Sequence, residues 1–255
     1  MESIITTKTN KMKKILGMIA ASMLLFGFIS SKPITIYIIG DSTMADKPDK
    51  VFPERGWGMF LQQHCKKNVI VQNCAMNGRS TRTFISEGRW QAVLDKLQPG
   101  DFVVIQFGHN DQSKEKVDRY TAPDDFKANM RRFVLEAREK GATPILCTPV
   151  VRRRFNDKGE FYDVHGEYPD LTRSVAKETS TELVDMHKLS EAIVREHGAE
   201  GSVKMFVHLK PGDLACVPEG KIDDTHFNEY GANLIANQFV KNSIEQKLSI
   251  SKFLK

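Results

Sequence analysis

The sequence predicts an α/β fold in which helices cover both faces of a central parallel sheet. Short apolar runs alternate along the chain with longer amphipathic stretches, and this alternation is typical of strand–helix–strand units. Several runs are apolar at consecutive positions, as expected of parallel strands that are buried on both faces. The 255 residues contain no internal repeat, no low-complexity tract and no linker rich in Gly, Ser or Pro, so we expect one domain.

Five apolar runs are the predicted strands of this sheet: Ile34–Ile39, Val69–Val71, Phe102–Phe107, Pro144–Cys147 and Leu183–Val184. The best-defined predicted helix lies between the third and fourth runs, where apolar residues recur at helical spacing from Phe126 to Ala137. Pro123 is predicted to begin this helix and Gly141 to end it. Further helices are predicted over Glu87–Leu97, over Lys188–His197 and after His226.

Residues 1–31 are predicted to be a secretory signal peptide. A lysine-rich segment precedes an apolar stretch over residues 15–29, and two serines follow it. The stretch is shorter than the roughly 20 residues of a membrane-spanning helix, and no cysteine follows it directly, so we expect no stable membrane anchor. Met12 is an alternative start of the same peptide. We therefore expect residues 32–255 to form the folded domain of a periplasmic or secreted protein.

The charge of the chain argues against a nucleic-acid partner. The 37 basic and 32 acidic residues give a net charge of +5. Residues 1–31 hold four lysines and one glutamate, which leaves 33 basic and 31 acidic residues, a net charge of +2. Nucleic-acid binding requires a concentrated basic face, so we expect no such partner, and we expect a monomer.

Four cysteines remain after the signal peptide, and in an oxidising compartment they allow three disulfide pairings. A Cys65–Cys74 bridge stays open, as does the state of Cys216. Cys147 lies in an apolar run and is interpreted as a small buried hydrophobic residue. No Cys-x-x-Cys spacing indicates a zinc site.

The serine directly after the first predicted strand is the candidate nucleophile. Ser42 follows Gly40 at the carboxyl edge of the sheet, where open α/β sheets bind their ligands. The alternative interpretation is that Ser42 caps a helix starting near Thr43. The Gly-x-Ser-x-Gly elbow of lipases is absent, because Met44 occupies the position of its second glycine.

A histidine near the C-terminus is the candidate base for this serine, because a serine hydroxyl is a weak nucleophile without one. Asp223 precedes His226 by three residues, so one turn of backbone can place its carboxylate on Nδ1 of the imidazole. Asp224 is the alternative orienting acid, although its one-residue offset points it elsewhere.

Two residues after the second and third strands are candidate donors to an oxyanion. Asn110 can donate its side-chain amide, and Gly78 can donate a backbone N–H that no side chain obstructs. The alternative is that both are turn residues. A second alternative is a metal-dependent phosphoesterase built on Asp41, Asp111 and His226, with Asp223 as a further ligand.

Two groups of arginines follow predicted strands and could meet a carboxylate-bearing substrate. Arg79 and Arg82 follow the second strand, and Arg152 follows the fourth. A guanidinium can bind a carboxylate bidentately, although arginine runs are more often solvated surface.

Four short blocks resemble the signature blocks of the SGNH (GDSL-type) hydrolase superfamily: Gly40–Met44, Asn77–Gly78, Gly108–Asp111 and Asp223–His226. Longer strings are similar to the rhamnogalacturonan acetylesterase branch: Gly40–Pro48, Glu54–Gly58, Asn77–Arg82, Glu87–Trp90, Ile105–Asp111 and Thr148–Phe155. The resemblance runs from about Ile34 to the C-terminal helix.

This resemblance implies a flavodoxin-like three-layer α/β/α sandwich and the removal of acetyl groups from pectic polysaccharide, rhamnogalacturonan foremost, without a metal or cofactor. It implies that Ser42 is the nucleophile, His226 the base and Asp223 its partner. The N–H groups of Ser42 and Gly78 and the side chain of Asn110 would form the oxyanion hole.

Other substrates and two other functional classes stay open. Relatives of this type also act on other pectins such as homogalacturonan, on xylan fragments and on small acetyl esters. A non-catalytic pectin-binding protein and the metal-dependent phosphoesterase are the alternatives of another class.

Overall fold

The computed structural model describes residues 32–255, and Ile34–Lys255 form one compact unit. The predicted signal peptide and the alternative start at Met12 lie outside the described residues. Within residues 32–255, no helix has both the length and the apolar character needed to cross a lipid bilayer.

A five-stranded parallel sheet forms the centre of the fold, as predicted. Its strands are β1 (Ile34–Gly40), β2 (Val69–Asn73), β3 (Phe102–Gln106), β4 (Thr143–Cys147) and β5 (Glu182–Val184). Their order in the sheet is β2-β1-β3-β4-β5, the flavodoxin-like order. The chain leaves β1 to one side to form β2 and then returns to the other side to form β3. Sheets of this kind bind ligands beyond the carboxyl ends of the strands at such a reversal.

Helices cover both faces of the sheet, so the predicted three-layer α/β/α sandwich is confirmed. One face is covered by α1 (Thr81–Ser86), α2 (Arg89–Leu94), α3 (Pro123–Glu139) and α4 (Tyr168–Glu178), and the other by α5 (Met186–Gly201) and α6 (Glu229–Glu245). Successive side chains of β3 enter opposite cores: Val103 packs with the first group of helices and Val104 with the second. This explains why the strand is apolar at every position.

Several predicted boundaries shift because of single residues. The helix predicted over Glu87–Leu97 is shorter, since Gly88 adopts a φ of +70° and separates α1 from α2. The helix predicted over Lys188–His197 begins earlier, at Met186, because the side chain of Asp185 caps its first turn. The helix considered near Thr43 does not form, and residues 41–45 make a turn instead.

A two-stranded antiparallel ribbon lies outside the main sheet and was not predicted. It pairs β6 (Phe206–Leu209) with β7 (Lys221–Phe227), so Asp223 and His226 lie on a strand rather than on a loop. Neighbouring residues of β6 pair with Phe227 and with Asp223, which leaves residues 224–226 as a bulge. Bulges bend a strand and redirect its side chains, and this one turns Asp223 and His226 toward each other.

All four cysteines are free thiols, so the Cys65–Cys74 bridge considered above is not formed. Cys147 is fully buried in the core, which confirms its interpretation as a buried hydrophobic residue.

Candidate active site

Ser42, His226 and Asp223 form a continuous hydrogen-bonded chain. Nε2 of His226 lies 2.8 Å from Oγ of Ser42, and Nδ1 of His226 lies 2.8 Å from Oδ2 of Asp223. The carboxylate can only accept, so Nδ1–H donates to Asp223 and leaves Nε2 free to accept the serine proton. The three residues predicted from opposite ends of the chain are thus brought together in the arrangement of a nucleophile, a base and an orienting acid.

The carboxylate of Asp223 is held by several donors. Its Oδ1 accepts the backbone N–H groups of Thr225 at 2.9 Å and His226 at 3.0 Å, while Oδ2 accepts from the imidazole. Burial alone would raise the pKa of Asp223, but the hydrogen bonds and the charge of His226 outweigh it and hold that pKa well below its usual range. Asp223 is therefore ionised at neutral pH and can stabilise an imidazolium on His226. Asp224, the alternative acid, faces Arg153 and His208 instead.

A chain of buried polar groups supports the turn that carries Ser42. Oδ1 of Asp41 accepts both the backbone N–H of Thr43, at 2.9 Å, and its hydroxyl, at 2.8 Å. The amide of Gln106 on β3 donates to the same hydroxyl at 2.7 Å, and its oxygen accepts from the indole of Trp57 at 3.1 Å. All four side chains are buried, so the turn is fixed from beneath.

The candidate oxyanion donors surround the hydroxyl of Ser42 in a cavity of about 270 Å³. Gly78 has a φ of +75°, a conformation that residues with a side chain rarely adopt. The Asn110 side chain donates one N–H to the carbonyl of Arg79 at 3.0 Å. This hydrogen bond orients the amide and leaves its second N–H for a ligand. Within residues 32–255, no protein group accepts the backbone N–H of Ser42 or of Gly78, so both are available to an oxygen in the cavity.

Glu54 is an acidic residue of this cavity that the sequence reasoning did not single out. Its Oε1 lies 3.8 Å from Nε2 of His226 and 2.6 Å from the buried ammonium of Lys47, which also donates to Asn77. Lys221 bridges the second oxygen of Glu54, at 3.2 Å, and Oδ2 of Asp223, at 3.1 Å. Burial would raise the pKa of Glu54, but His226, Lys47 and Lys221 together lower it. Only the block Glu54–Gly58 in the sequence pointed to this position, without suggesting a role.

The three predicted substrate-binding arginines have different surroundings. Arg152 lines the cavity, and its guanidinium donates to the hydroxyl of Thr225 at 2.6 Å and to the carbonyl of His109 at 3.1 Å. Arg79 lies beside an adjoining cavity and is paired with Glu87. Arg82 does not line the cavity of Ser42, because its guanidinium donates to the carbonyls of Val117 and Tyr120.

The loop that Arg82 holds carries two further basic residues into the cavity. Lys116 and Arg119 both line it, and the guanidinium of Arg119 passes 3.2 Å from the position that a Cβ on Gly78 would take. Together with Arg152 they give the cavity three cationic side chains. No spacing in the sequence indicates Lys116 or Arg119, because the loop over residues 112–120 has no regular structure.

Each acid of the phosphoesterase alternative has one carboxylate oxygen bonded to a threonine, whereas its Oδ2 is buried without a hydrogen-bond partner among the described residues. Asp41 accepts from Thr43, and Asp111 accepts the N–H of Thr81 at 2.8 Å and its hydroxyl at 2.6 Å. Among residues 32–255, two groups of side chains could hold a metal ion: Glu54 with Asp223 and His226, and Asp163 with His165 and His187. Neither includes Asp41 or Asp111.

Comparison with known proteins places this chain in a family. The family model described as "GDSL-like Lipase/Acylhydrolase family" matches residues 38–234, which is most of the chain. The chain belongs to this family. The superfamily predicted from the four sequence blocks is thereby confirmed.

The chain is also similar, over most of its length, to two curated proteins and to one solved structure. It is 38% identical to "Rhamnogalacturonan acetylesterase RhgT" of Bacillus subtilis (strain 168), over 84% of this chain and 91% of that protein. It is 37% identical to "Probable rhamnogalacturonan acetylesterase YesY" of the same organism, over 85% and 95%. The crystal structure of protein YxiM from Bacillus subtilis has a TM-score of 0.72 at 28% identity, and the match covers 85% of this chain and 57% of that one.

Proposed function

We propose that this protein is a carbohydrate acetylesterase that removes acetyl groups from pectic polysaccharide, rhamnogalacturonan foremost, through an acetyl-serine intermediate. The observation that carries the proposal is the continuous chain from Asp223 through His226 to Ser42, which opens into a cavity with unused N–H donors. The names of the relatives RhgT and YesY support the choice of polymer. We also propose that the protein is exported, as the N-terminal sequence predicts.

In the first half of the reaction, Oγ of Ser42 attacks the acetyl carbonyl carbon while Nε2 of His226 takes the hydroxyl proton. The carbonyl electron pair moves to the oxygen, which accepts from the N–H groups of Ser42 and Gly78 and from the amide of Asn110. Asp223 stabilises the imidazolium that forms. When the tetrahedral intermediate collapses, the bond to the sugar oxygen breaks, and that oxygen leaves with the proton from His226.

In the second half, water replaces the sugar alcohol. His226 takes a proton from the water as its oxygen attacks the acetyl carbon, and the same donors hold the oxyanion. Collapse breaks the bond to Oγ of Ser42, which regains a proton from His226, and acetate is released. Each step needs only groups that already lie within or beside the cavity.

The cationic rim of the cavity supports an acidic polymer as the substrate. Lys116, Arg119 and Arg152 lie around a space that also holds the Ser42 hydroxyl. A galacturonate carboxylate next to the acetylated sugar would be favoured there by charge and by hydrogen bonds from guanidinium. An acetylated xylan lacks this charge along its main chain.

The reaction and the polymer are tested together by measuring acetate release. Wild type and Ser42→Ala are incubated with acetylated rhamnogalacturonan, homogalacturonan and xylan, and with a small acetyl ester, with and without a chelator. We expect release from rhamnogalacturonan to be the fastest, to survive the chelator and to be lost in Ser42→Ala. If a small ester alone is cleaved, the esterase mechanism stands and the polymer is wrong. No Ser42-dependent release from any substrate would favour a pectin-binding protein, and activity that the chelator abolishes would favour a phosphoesterase-like metal site.

The role of the cationic rim is tested with Arg119→Gln. We expect KM for acidic oligosaccharides to rise about tenfold relative to KM for the neutral ester, since a charge-assisted hydrogen bond is lost. Arg132→Gln, an exposed arginine of α3 that does not line the cavity, is the matched control. An equal effect of Arg119→Gln on both substrates would contradict a carboxylate contact.

A further inference from the structure

A second group of acid and imidazole side chains lies outside the cavity of Ser42. Asp163 and His165 lie just before α4, and His187 lies in the first turn of α5. We call Asp163, His165 and His187 the histidine cluster. None of the three lines the cavity of Ser42, so the proposed ester hydrolysis does not use them.

The donor atoms of the histidine cluster converge on one point. Oδ1 of Asp163 lies 2.8 Å from Nδ1 of His165 and 3.0 Å from Nε2 of His187. All three donor atoms lie within 4.8 Å of one another. A tetrahedral zinc ion with bonds of about 2.0–2.2 Å separates its ligand atoms by roughly 3.3–3.6 Å. The two distances from Asp163 would therefore have to lengthen by about half an ångström to admit one.

The buried ring of His187 has a nitrogen without a hydrogen-bond partner, which indicates a place for another kind of ligand. Its side chain is 9% exposed, and Nε2 has no hydrogen-bond partner although Oδ1 of Asp163 is only 3.0 Å away. The N–H bond at Nε2 of His187 is therefore not aligned with Oδ1 of Asp163. A cation bonded to both atoms would lie off the line that joins them, and it would satisfy the nitrogen that a hydrogen bond leaves unsatisfied.

His165 has the orientation of a metal-ligating histidine. Its Nδ1 faces Asp163, while its Nε2 lies 3.4 Å from Nδ1 of the buried His109. Histidines that bind metals usually donate their other ring N–H to a protein acceptor, which fixes the tautomer and the ring. His165 is fully buried, whereas 28% of the Asp163 side chain is exposed, so an ion could reach the cluster from that side.

We propose that Asp163, His165 and His187 bind one divalent transition-metal ion, for which Zn²⁺ is the best-fitting candidate. Two imidazoles and one carboxylate are ligands that zinc accepts, and water from the exposed side of Asp163 would complete four-fold coordination. The ion ties the segment before α4 to the start of α5. It takes no part in ester hydrolysis, so the proposal does not depend on the proposed function.

The test is metal binding by the full chain, measured by titration with Zn²⁺ after dialysis against a chelator, and with Co²⁺ as a visible-absorbing substitute. His187→Gln and His165→Asn each replace the candidate ring nitrogen by an amide N–H, which is a poor metal ligand. In His165→Asn the amide can keep the hydrogen bond to Asp163. His197→Gln changes another histidine of α5 and is the matched control. His226→Gln removes the imidazole from the other candidate group, which contains Glu54 and Asp223.

We expect wild type, His197→Gln and His226→Gln to bind one equivalent of Zn²⁺ and to give a tetrahedral Co²⁺ spectrum. We expect His187→Gln and His165→Asn to lose at least tenfold in affinity. The thermal midpoint of wild type should rise with Zn²⁺, and that of His187→Gln should not. Absence of saturable binding by wild type, binding that His187→Gln leaves unchanged, or binding that only His226→Gln abolishes would each overturn the proposal.

Discussion

Two aspartate–histidine pairs in this molecule share the same local geometry and differ in what lies beyond the ring. In both pairs Nδ1 of the histidine lies 2.8 Å from a carboxylate oxygen: His226 with Asp223, and His165 with Asp163. In both, burial alone would raise the pKa of the aspartate. His226 holds the pKa of Asp223 well below its usual range, and His165 and His187 together do the same for Asp163. The side chain of His226 is 24% exposed, whereas that of His165 is fully buried.

The difference lies at Nε2. For His226 this nitrogen faces the hydroxyl of Ser42 at 2.8 Å in an open cavity, and for His165 it faces the ring of His109 at 3.4 Å in the interior. An acid–histidine pair therefore indicates a base only when its second nitrogen meets a nucleophile that a substrate can reach. A depressed aspartate pKa does not distinguish the two pairs.

The sharpest test of this contrast is to remove the reacting groups. Ser42→Ala and His226→Ala should each lower kcat for a small acetyl ester by about 10⁶-fold, because the nucleophile or its base is lost. His187→Gln, next to the other pair, should leave kcat at the wild-type value. Steady-state kinetics on variants with wild-type circular dichroism would measure this, and a large loss in His187→Gln would remove the distinction between the pairs.

Exchanging each aspartate for asparagine compares the two acids directly. Asp223→Asn should lower kcat by roughly 10⁴-fold, since the amide cannot stabilise an imidazolium and favours the wrong tautomer. Asp163→Asn should leave kcat near wild type. Similar losses in both variants would mean that Asp223 acts only through the stability of the fold, which thermal unfolding of each variant would reveal.

Removing one oxyanion donor should have a smaller effect than removing the orienting acid. Asn110→Ala should lower kcat by roughly 10²–10³-fold, or about 2.7–4 kcal/mol of transition-state stabilisation. KM for the small ester should change little, because the contact forms only as the oxyanion develops. Unchanged kcat would show that the Asn110 amide serves only the carbonyl of Arg79.

Glu54, which lines the cavity beside His226, allows a test of the stability of the fold. Glu54→Gln leaves the ammonium of Lys47 buried without its charged partner, which should lower the free energy of unfolding by about 3 kcal/mol. Glu245→Gln, an exposed acid of α6, is the control. Urea unfolding of the two variants measures the difference, and equal stability would show that Asn77 alone satisfies Lys47.

The smallest expected effect is on the pH dependence of stability. The folded-state pKa of Asp223 is depressed, so its stabilisation is complete above the unfolded value of about 3.9 and is lost as the pH falls through the folded value. Wild type should therefore lose more stability than Asp223→Asn between pH 6 and acid pH, as seen by urea unfolding at several values of pH. A constant difference between the two proteins would contradict the depressed pKa.

The sequence predicted the parallel sheet because its strands are apolar at consecutive positions, a strong and local signal. The triad was predictable because short motifs carry Ser42, Asp223 and His226. The β6–β7 ribbon was not, because its strands are half-buried and a bulge interrupts the alternation of their side chains. Helices α1 and α4 were also missed.

Contacts between distant side chains were beyond prediction from the sequence. The pairing of Lys47 with Glu54, and the approach of His165 to His109, depend on how loops pack rather than on spacing along the chain. Arg82 shows the converse. Its position in the sequence suggested a substrate contact, but in the fold its guanidinium donates to two loop carbonyls.

The hydroxyl of Ser42 and the imidazole of His226 come from positions 184 residues apart in the chain. All five strands of the central sheet end before residue 185, so a nascent chain holds the whole sheet before it contains β7. Contacts between residues so far apart in sequence are slow to form. Enzymatic activity should therefore appear in a refolding or newly synthesised chain only after the ribbon has docked on the sheet, and the onset of small-ester hydrolysis measures when that docking occurs.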